Sequence, residues 1–246
     1  MPTRFNRVLK MEKKFSPRLL CTFMLAILVI SACASVPTGQ RIDSIPMYGQ
    51  PEIARPDFLL KLDQQFIREV VAGIGTRENA SEMWWAQAEK FMAQENLDLA
   101  MRRYNQSWLL NPNNFKAYWG FGRVLLERGE TDLAIVQLEK AIALCTDDFQ
   151  RPALLTDTGS AYLAKANNFV GEEKREFFRK ADSLFEQALK IDPGYGNAYK
   201  RWAISLHRQE KYSEAWIKVA EARKQPDLTI SPKFLKALES IMPEPK

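Results

Sequence analysis

Leu97–Asp148 reads LDLAMRRYNQSWLLNPNNFKAYWGFGRVLLERGETDLAIVQLEKAIALCTDD. Ala100, Tyr104 and Ser107 are followed, 34 residues later, by Ala134, Leu138 and Ala141, in the same order of small and large side chains. Between the two runs, Tyr118, Phe121, Gly122 and Leu125 fall at helical spacing. A period of this length, carrying two apolar helical patterns per unit, is the mark of a solenoid of helix-turn-helix repeats. Each unit buries its apolar face only against its neighbours.

Working outward, the pattern divides residues 81–225 into four units: 81–114, 115–148, 152–195 and 196–225. Paired helices that cross closely need a minimal side chain where their backbones meet. Those positions are Ala88, Ala100 and Ser107; Gly122, Ala134 and Ala141; Gly159, Ala181 and Ala188; Ala203, Ala215 and Ala222, all of them Gly, Ala or Ser. Pro112 and Pro193 end the second helix of their units. The third unit carries ten residues more than the pattern allows between Tyr162 and Ala181. This insertion, 165–180, is highly charged, includes Phe169, Phe177 and Phe178, and should lengthen the helices or project as a loop. Asp57 follows a proline and opens an apolar-faced helix over 57–75, with Phe58, Leu62 and Phe66 on one side. It lacks the repeat pattern and is expected to cap the open end. A last helix over 231–242 should cap the other end.

On these spacings the chain resembles the tetratricopeptide-repeat (TPR) family. The resemblance implies an all-α fold, a superhelical solenoid of about four helix-turn-helix repeats with N- and C-terminal capping helices. It also implies a groove lined by fixed positions of the first helix of each repeat. Carried over residue by residue, these give Trp85 and Glu89, then Trp119 and Arg123, then Lys200, His207 and Arg208 as the partner-binding set. Large aromatics beside arginine are common at binding hot spots. Family members that grip a chaperone's C-terminal carboxylate use Lys, Asn and Arg at set positions. Only Lys200 and Arg201 fall near that pattern, so that activity is not expected.

The N-terminus reads as an export signal. Arg4, Arg7, Lys10, Lys13, Lys14 and Arg18 precede an apolar run, Leu19–Ile30, too short to span a bilayer. Ile30-Ser31-Ala32-Cys33 resembles the lipobox of bacterial lipoproteins, which implies cleavage after residue 32 and a lipid on Cys33. An ordinary secretory signal and an uncleaved anchor are the alternatives. Ala34, which is not acidic, resembles the outer-membrane sorting default, placing the protein on the periplasmic face of that membrane; an inner-membrane lipoprotein or a secreted protein are the alternatives. Residues 33–56, rich in Pro and Gly, read as a tether. Within it, Ile45-Pro46-Met47-Tyr48-Gly49 should either pack across the first helices or dock elsewhere as a short peptide.

Removing residues 1–32 leaves 29 basic and 29 acidic residues of the original 35 and 30. The net charge of +5 therefore belongs to the signal and gives no reason to expect nucleic acid. Cys145 is then the only cysteine besides Cys33, which rules out an internal disulfide; packing suits it better than thiol chemistry. With a single histidine, His207, neither a Ser-His-Asp or Cys-His centre nor a His-rich metal site is expected. Gly120-x-Gly122 is a packing feature rather than a nucleotide loop. The reading is a non-catalytic protein-interaction adaptor of the bacterial envelope, without cofactor or metal. Its partner is a protein segment, and its link to the membrane is the lipid on Cys33. The resemblance leaves pilus or secretion assembly, outer-membrane assembly and control of cell-wall enzymes open. The alternative is a binder of peptidoglycan or exported polysaccharide that stacks sugars on Trp85 and Trp119.

Overall fold

A computed structural model describes residues 41–225 and 228–245; the expected signal peptide, Cys33 and the tether as far as residue 40 lie outside them. Among the described residues there are ten α-helices and no strand. They are α1 (Asp57–Ile74), α2 (Arg77–Ala93), α3 (Leu97–Leu110), α4 (Phe115–Glu127), α5 (Thr131–Leu144), α6 (Arg151–Ala166), α7 (Gly171–Ile191), α8 (Gly196–Arg208), α9 (Tyr212–Ala222) and α10 (Pro232–Ile241). Four hairpins, α2–α3, α4–α5, α6–α7 and α8–α9, stack in chain order, so the architecture is an all-α superhelical solenoid.

Local chemistry starts the helices. The side chains of Thr76, Asn96 and Asn114 accept hydrogen bonds from Asn79 N, Leu99 N and Lys116 N at 3.0–3.1 Å, closing the first turns of α2, α3 and α4. Each short turn between the helices of hairpins one, two and four passes through a single left-handed residue: Glu95 (φ 57°), Gly129 (φ 78°) and Glu210 (φ 62°). Glycine adopts that conformation freely, whereas a residue with a Cβ gives up about 1 kcal/mol.

All twelve small positions are buried. The helices approach so closely that a Cβ added to Gly122 would lie 2.5 Å from Leu138 Cγ and 3.2 Å from the Ala134 carbonyl oxygen. One added to Gly159 would meet the Phe185 ring at 2.5 Å. Where Ser107 stands for alanine, its hydroxyl is satisfied: it donates to the Ser81 carbonyl at 2.9 Å, and Ser81 donates back to the Ser107 carbonyl at 2.8 Å. Tyr104, Phe121, Leu138 and Phe185 fill the space between hairpins. One apolar cluster runs through α2–α7; a second joins α8, α9 and α10 around Leu206, Trp216 and Leu238, and Trp202 touches both; a third, small one of Leu155, Ala188 and Ala198 joins α6, α7 and α8.

The insertion does not project as a loop. α6 continues to Ala166 and α7 begins at Gly171, so the extra residues lengthen both helices; α7 reaches 21 residues. Phe177 is stacked on Tyr162 (centroids 6.3 Å) and touches Phe169, which gives the extension its own aromatic contact.

Of the two expectations for Ile45–Gly49, packing across the first helices is the one the structure shows, so the second half of 33–56 is not a free tether. Residues 42–49 form two short 3-10 turns packed against α3. Asn105 on α3 is fully buried and holds this strap by its backbone. Its Nδ2 donates to the carbonyls of Asp43 (3.1 Å) and Ile45 (2.8 Å), and its Oδ1 accepts from Tyr48 N (3.2 Å). Arg128 adds a hydrogen bond to the Ser44 carbonyl at 2.7 Å. Tyr48 is buried under the Arg55 guanidinium (4.1 Å), and Arg55 is paired with Asp63 of α1. A Pro- and Gly-containing stretch is thus rigid here because one buried amide satisfies three of its backbone groups.

Candidate functional site

The first helices of the hairpins, α2, α4, α6 and α8, face one another in sequence and carry the candidate residues. Between α2 and α4 the side chains neutralise each other. Lys116 Nζ lies 2.6 Å from Glu82 and 4.7 Å above the Trp85 ring. Arg123 reaches both oxygens of Glu89 at 2.9 and 2.7 Å, and the Tyr104 hydroxyl donates to Glu89 at 2.5 Å. Trp85, Glu89, Trp119 and Arg123 therefore do come together. The two tryptophans are not bare rings, however; both are half-buried against the core.

Between α4 and α6, Trp119 Nε1 donates to Asp157 Oδ2 at 2.8 Å. Burial pushes the Asp157 carboxyl above the ordinary aspartate range, although Trp119, Arg123 and Arg201 oppose the shift. Asp157 is a residue that the sequence reading misses. It belongs to the third repeat, to which that reading assigns no groove positions, and its role depends on the indole that a different repeat brings to it.

An acid whose folded pKa is raised destabilises the fold at any pH where it must stay ionised, and that penalty disappears as pH falls and it protonates. Asp157→Asn keeps an acceptor for Trp119. It is therefore expected to leave stability unchanged or raise it by up to about 1 kcal/mol at pH 7. Any gain should vanish near pH 4, as read by urea denaturation at the two pH values.

The α8 end differs in charge. Among the described residues, Lys200, Arg201 and Arg208 form no ion pair within 4.0 Å. Arg208 Nη1 has only neutral acceptors, the Leu163 carbonyl and Asn167 Oδ1, each at 3.4 Å. Burial, followed by the neighbouring charge of Arg201, lowers the pKa of Lys200 and of Arg208. His207 packs differently from these three. Its ring is edge-on to Tyr212 and to Phe234 of α10 (5.7 and 5.6 Å), and its buried Nε2 has no partner among the described residues. It thus lies in the joint with the C-terminal helix.

Two other features bear on chemistry. Cys145 is buried, and burial pushes its thiol pKa upward, which suits packing and not nucleophilic use. A cleft of about 540 Å³ opens between α5, α6 and α7 on the second-helix side. Its charges are already matched: Tyr162 donates to Glu139, Lys180 pairs with Glu176, and Arg179 with Glu172. Among the described residues no group of three or more His, Cys, Asp or Glu side chains converges as a metal site, and no helix is long and apolar enough to cross a membrane.

No protein-family model matches the sequence, and no curated protein matches it. Among solved structures the fold is similar to a thermophilic TPR protein of Thermus thermophilus. The TM-score is 0.58 at 16% identity, over 66% of this chain and 84% of that one. YrrB, a TPR protein with an unusual peptide-binding site, is similar at TM-score 0.48 and 15% identity, over 72% of this chain and 93% of that one. MamA from Desulfovibrio magneticus is similar at TM-score 0.46 and 18% identity, over 70% of this chain and 96% of that one. The likeness is one of fold: a TPR-type helical solenoid.

Proposed function

We propose that this chain is a non-catalytic adaptor of the bacterial envelope that takes a segment of a partner protein along α2, α4, α6 and α8. In this reading it is held at the periplasmic face of the outer membrane by a lipid on Cys33. One observation carries the groove assignment. The described elements outside the hairpins pack elsewhere: the strap on α3, α1 on α2 and α3, and α10 against the α8–α9 cluster. The first-helix face of α4 and α6 thus remains available. Polysaccharide stacking has less support, because it needs an open ring face and Lys116 already lies over Trp85.

Site-specific photo-crosslinking in the native envelope tests this. A crosslinker at Lys200 or Leu126, on the first-helix face, should trap a discrete protein. One at Val136, exposed on α5, should not. Crosslinks arising only from Val136 would remove the groove from consideration. Separately, labelled palmitate should enter the wild-type protein and be lost in Cys33→Ala; label retained by that variant would refute the anchor.

A further inference from the structure

The groove is electrically lopsided, and that asymmetry names its ligand. At the α2–α4 end each cation is spent on an acid of the protein: Lys116 on Glu82 and Arg123 on Glu89. At the α8 end three cations share one helix, and no carboxylate lies within ion-pair distance of them among the described residues. Arg201 and Arg208 are seven residues apart and so lie on one face of α8, roughly 10 Å apart along its axis. Lys200 flanks them, one position from Arg201.

Gathering like charges beside partly desolvated surface is unfavourable unless something supplies the opposite sign. Asp157 on α6 supplies part of it. It lies within the field of both Arg123 and Arg201, but its carboxylate is buried and already accepts a hydrogen bond from Trp119.

Resting on the groove reading above, we propose that the α8 end of this groove recognises internal acidic side chains of an extended partner segment, through Arg201 and Arg208 with Lys200 beside them. Spacing favours a segment over a compact anion. Phosphate is bound by donors that converge on one point, whereas Arg201 and Arg208 are set along a line. Carboxylates about 10 Å apart match them, close to the spacing of residues three apart on one face of an extended polyproline-II segment, which has three residues per turn at about 3.1 Å each. Ile204, half-exposed between Arg201 and Arg208 on α8, suits an intervening apolar side chain. Asp157 then acts as an internal competitor for Arg201 and limits affinity for the acidic ligand.

The test uses the full mature chain and a rhodamine-labelled 13-residue peptide, acetylated and amidated at its ends, with glutamate at every third position. The control peptide carries glutamine at those positions. By anisotropy at low salt the glutamate peptide should bind about tenfold more tightly, as expected for three partly exposed charge pairs. Lys200→Gln/Arg201→Gln/Arg208→Gln should erase that difference while circular dichroism stays unchanged. Asp157→Asn should tighten binding of the glutamate peptide a further few-fold, which a merely structural role for Asp157 would not do. Equal binding of the two peptides overturns the proposal, as does indifference to Asp157→Asn or full displacement by millimolar inorganic phosphate. If the triple variant still crosslinks its native partner from Leu126 while the peptides bind alike, the groove reading survives and only the acidic specificity falls.

Discussion

Asn105→Ala should loosen the N-terminal strap and lower overall stability by about 2–4 kcal/mol, the sum expected for three backbone hydrogen bonds and the polar groups left unpaired. Among the described residues, this fully buried amide is the only side chain that holds Asp43, Ile45 and Tyr48 at once. It also holds a conformation the backbone does not favour. Met47 and Tyr48 adopt φ of 53° and 55°, and Gly49 follows at 78°. Left-handed geometry disfavours each of the first two by about 1–2 kcal/mol. Such a run persists only where its surroundings over-determine it. Losing the amide should therefore release the strap as a unit rather than shift it slightly. Urea denaturation reads the stability change, and limited trypsin digestion reads the release through faster cleavage after Arg41, at the start of the strap. A variant with wild-type stability and wild-type digestion would show that the strap holds without this amide.

Gly122→Ala should destabilise the protein by about 2–3 kcal/mol, the cost of overpacking a close crossing, against the direction that helix propensity alone predicts. Alanine is favoured over glycine in a helix interior by about 1 kcal/mol. In α4 the added methyl would lie 2.5 Å from Leu138 Cγ and 3.2 Å from the Ala134 carbonyl oxygen. Leu138 is itself fully buried, so it has little room to move away, and the clash outweighs the gain in propensity. Gly73→Ala supplies the opposite case. Gly73 lies in α1 with nothing within 4 Å of an added Cβ, so propensity acts unopposed and the expected change is a gain of about 0.5–1 kcal/mol. Thermal and urea melts of the two variants check both signs. Similar shifts in the same direction would refute the close-crossing account of the hairpins.

The hairpin architecture was legible because it rests on a local and repeated requirement. Ala88, Gly122, Gly159 and Ala203 are small for one shared reason, and the same offsets recur in each unit. That Ile45–Gly49 packs was suggested by its Ile, Met and Tyr, but what holds it was not legible, because Asn105 recognises it across 57–62 residues of sequence and nothing in a Pro- and Gly-containing stretch announces a distant amide. The fate of residues 165–180 was open for a related reason. Whether extra residues lengthen two helices or form a loop depends on contacts such as Phe177 with Tyr162, which the repeat pattern does not encode.

Within the candidate site, position in the repeat indicated which side chains share a face but not how they would pair. Glu89 with Arg123 follows from equal positions in neighbouring units, and Trp119 with Asp157 does not. His207 shows the limit at a terminus. A position that lines the groove in an internal repeat meets α10 in the last one, and the ring packs with Tyr212 and Phe234.

The last hairpin shares only Trp202 and the small cluster of Leu155, Ala188 and Ala198 with the rest of the core, and this has a dynamic consequence. The last hairpin and α10, a block tied to the first three hairpins by that narrower joint, are expected to open locally before the rest of the solenoid. The basic residues of α8 ride on that block. A ligand that binds them would therefore draw its affinity partly from quieting local breathing, and occupancy would be felt as slower amide exchange at the end of the chain farthest from the strap.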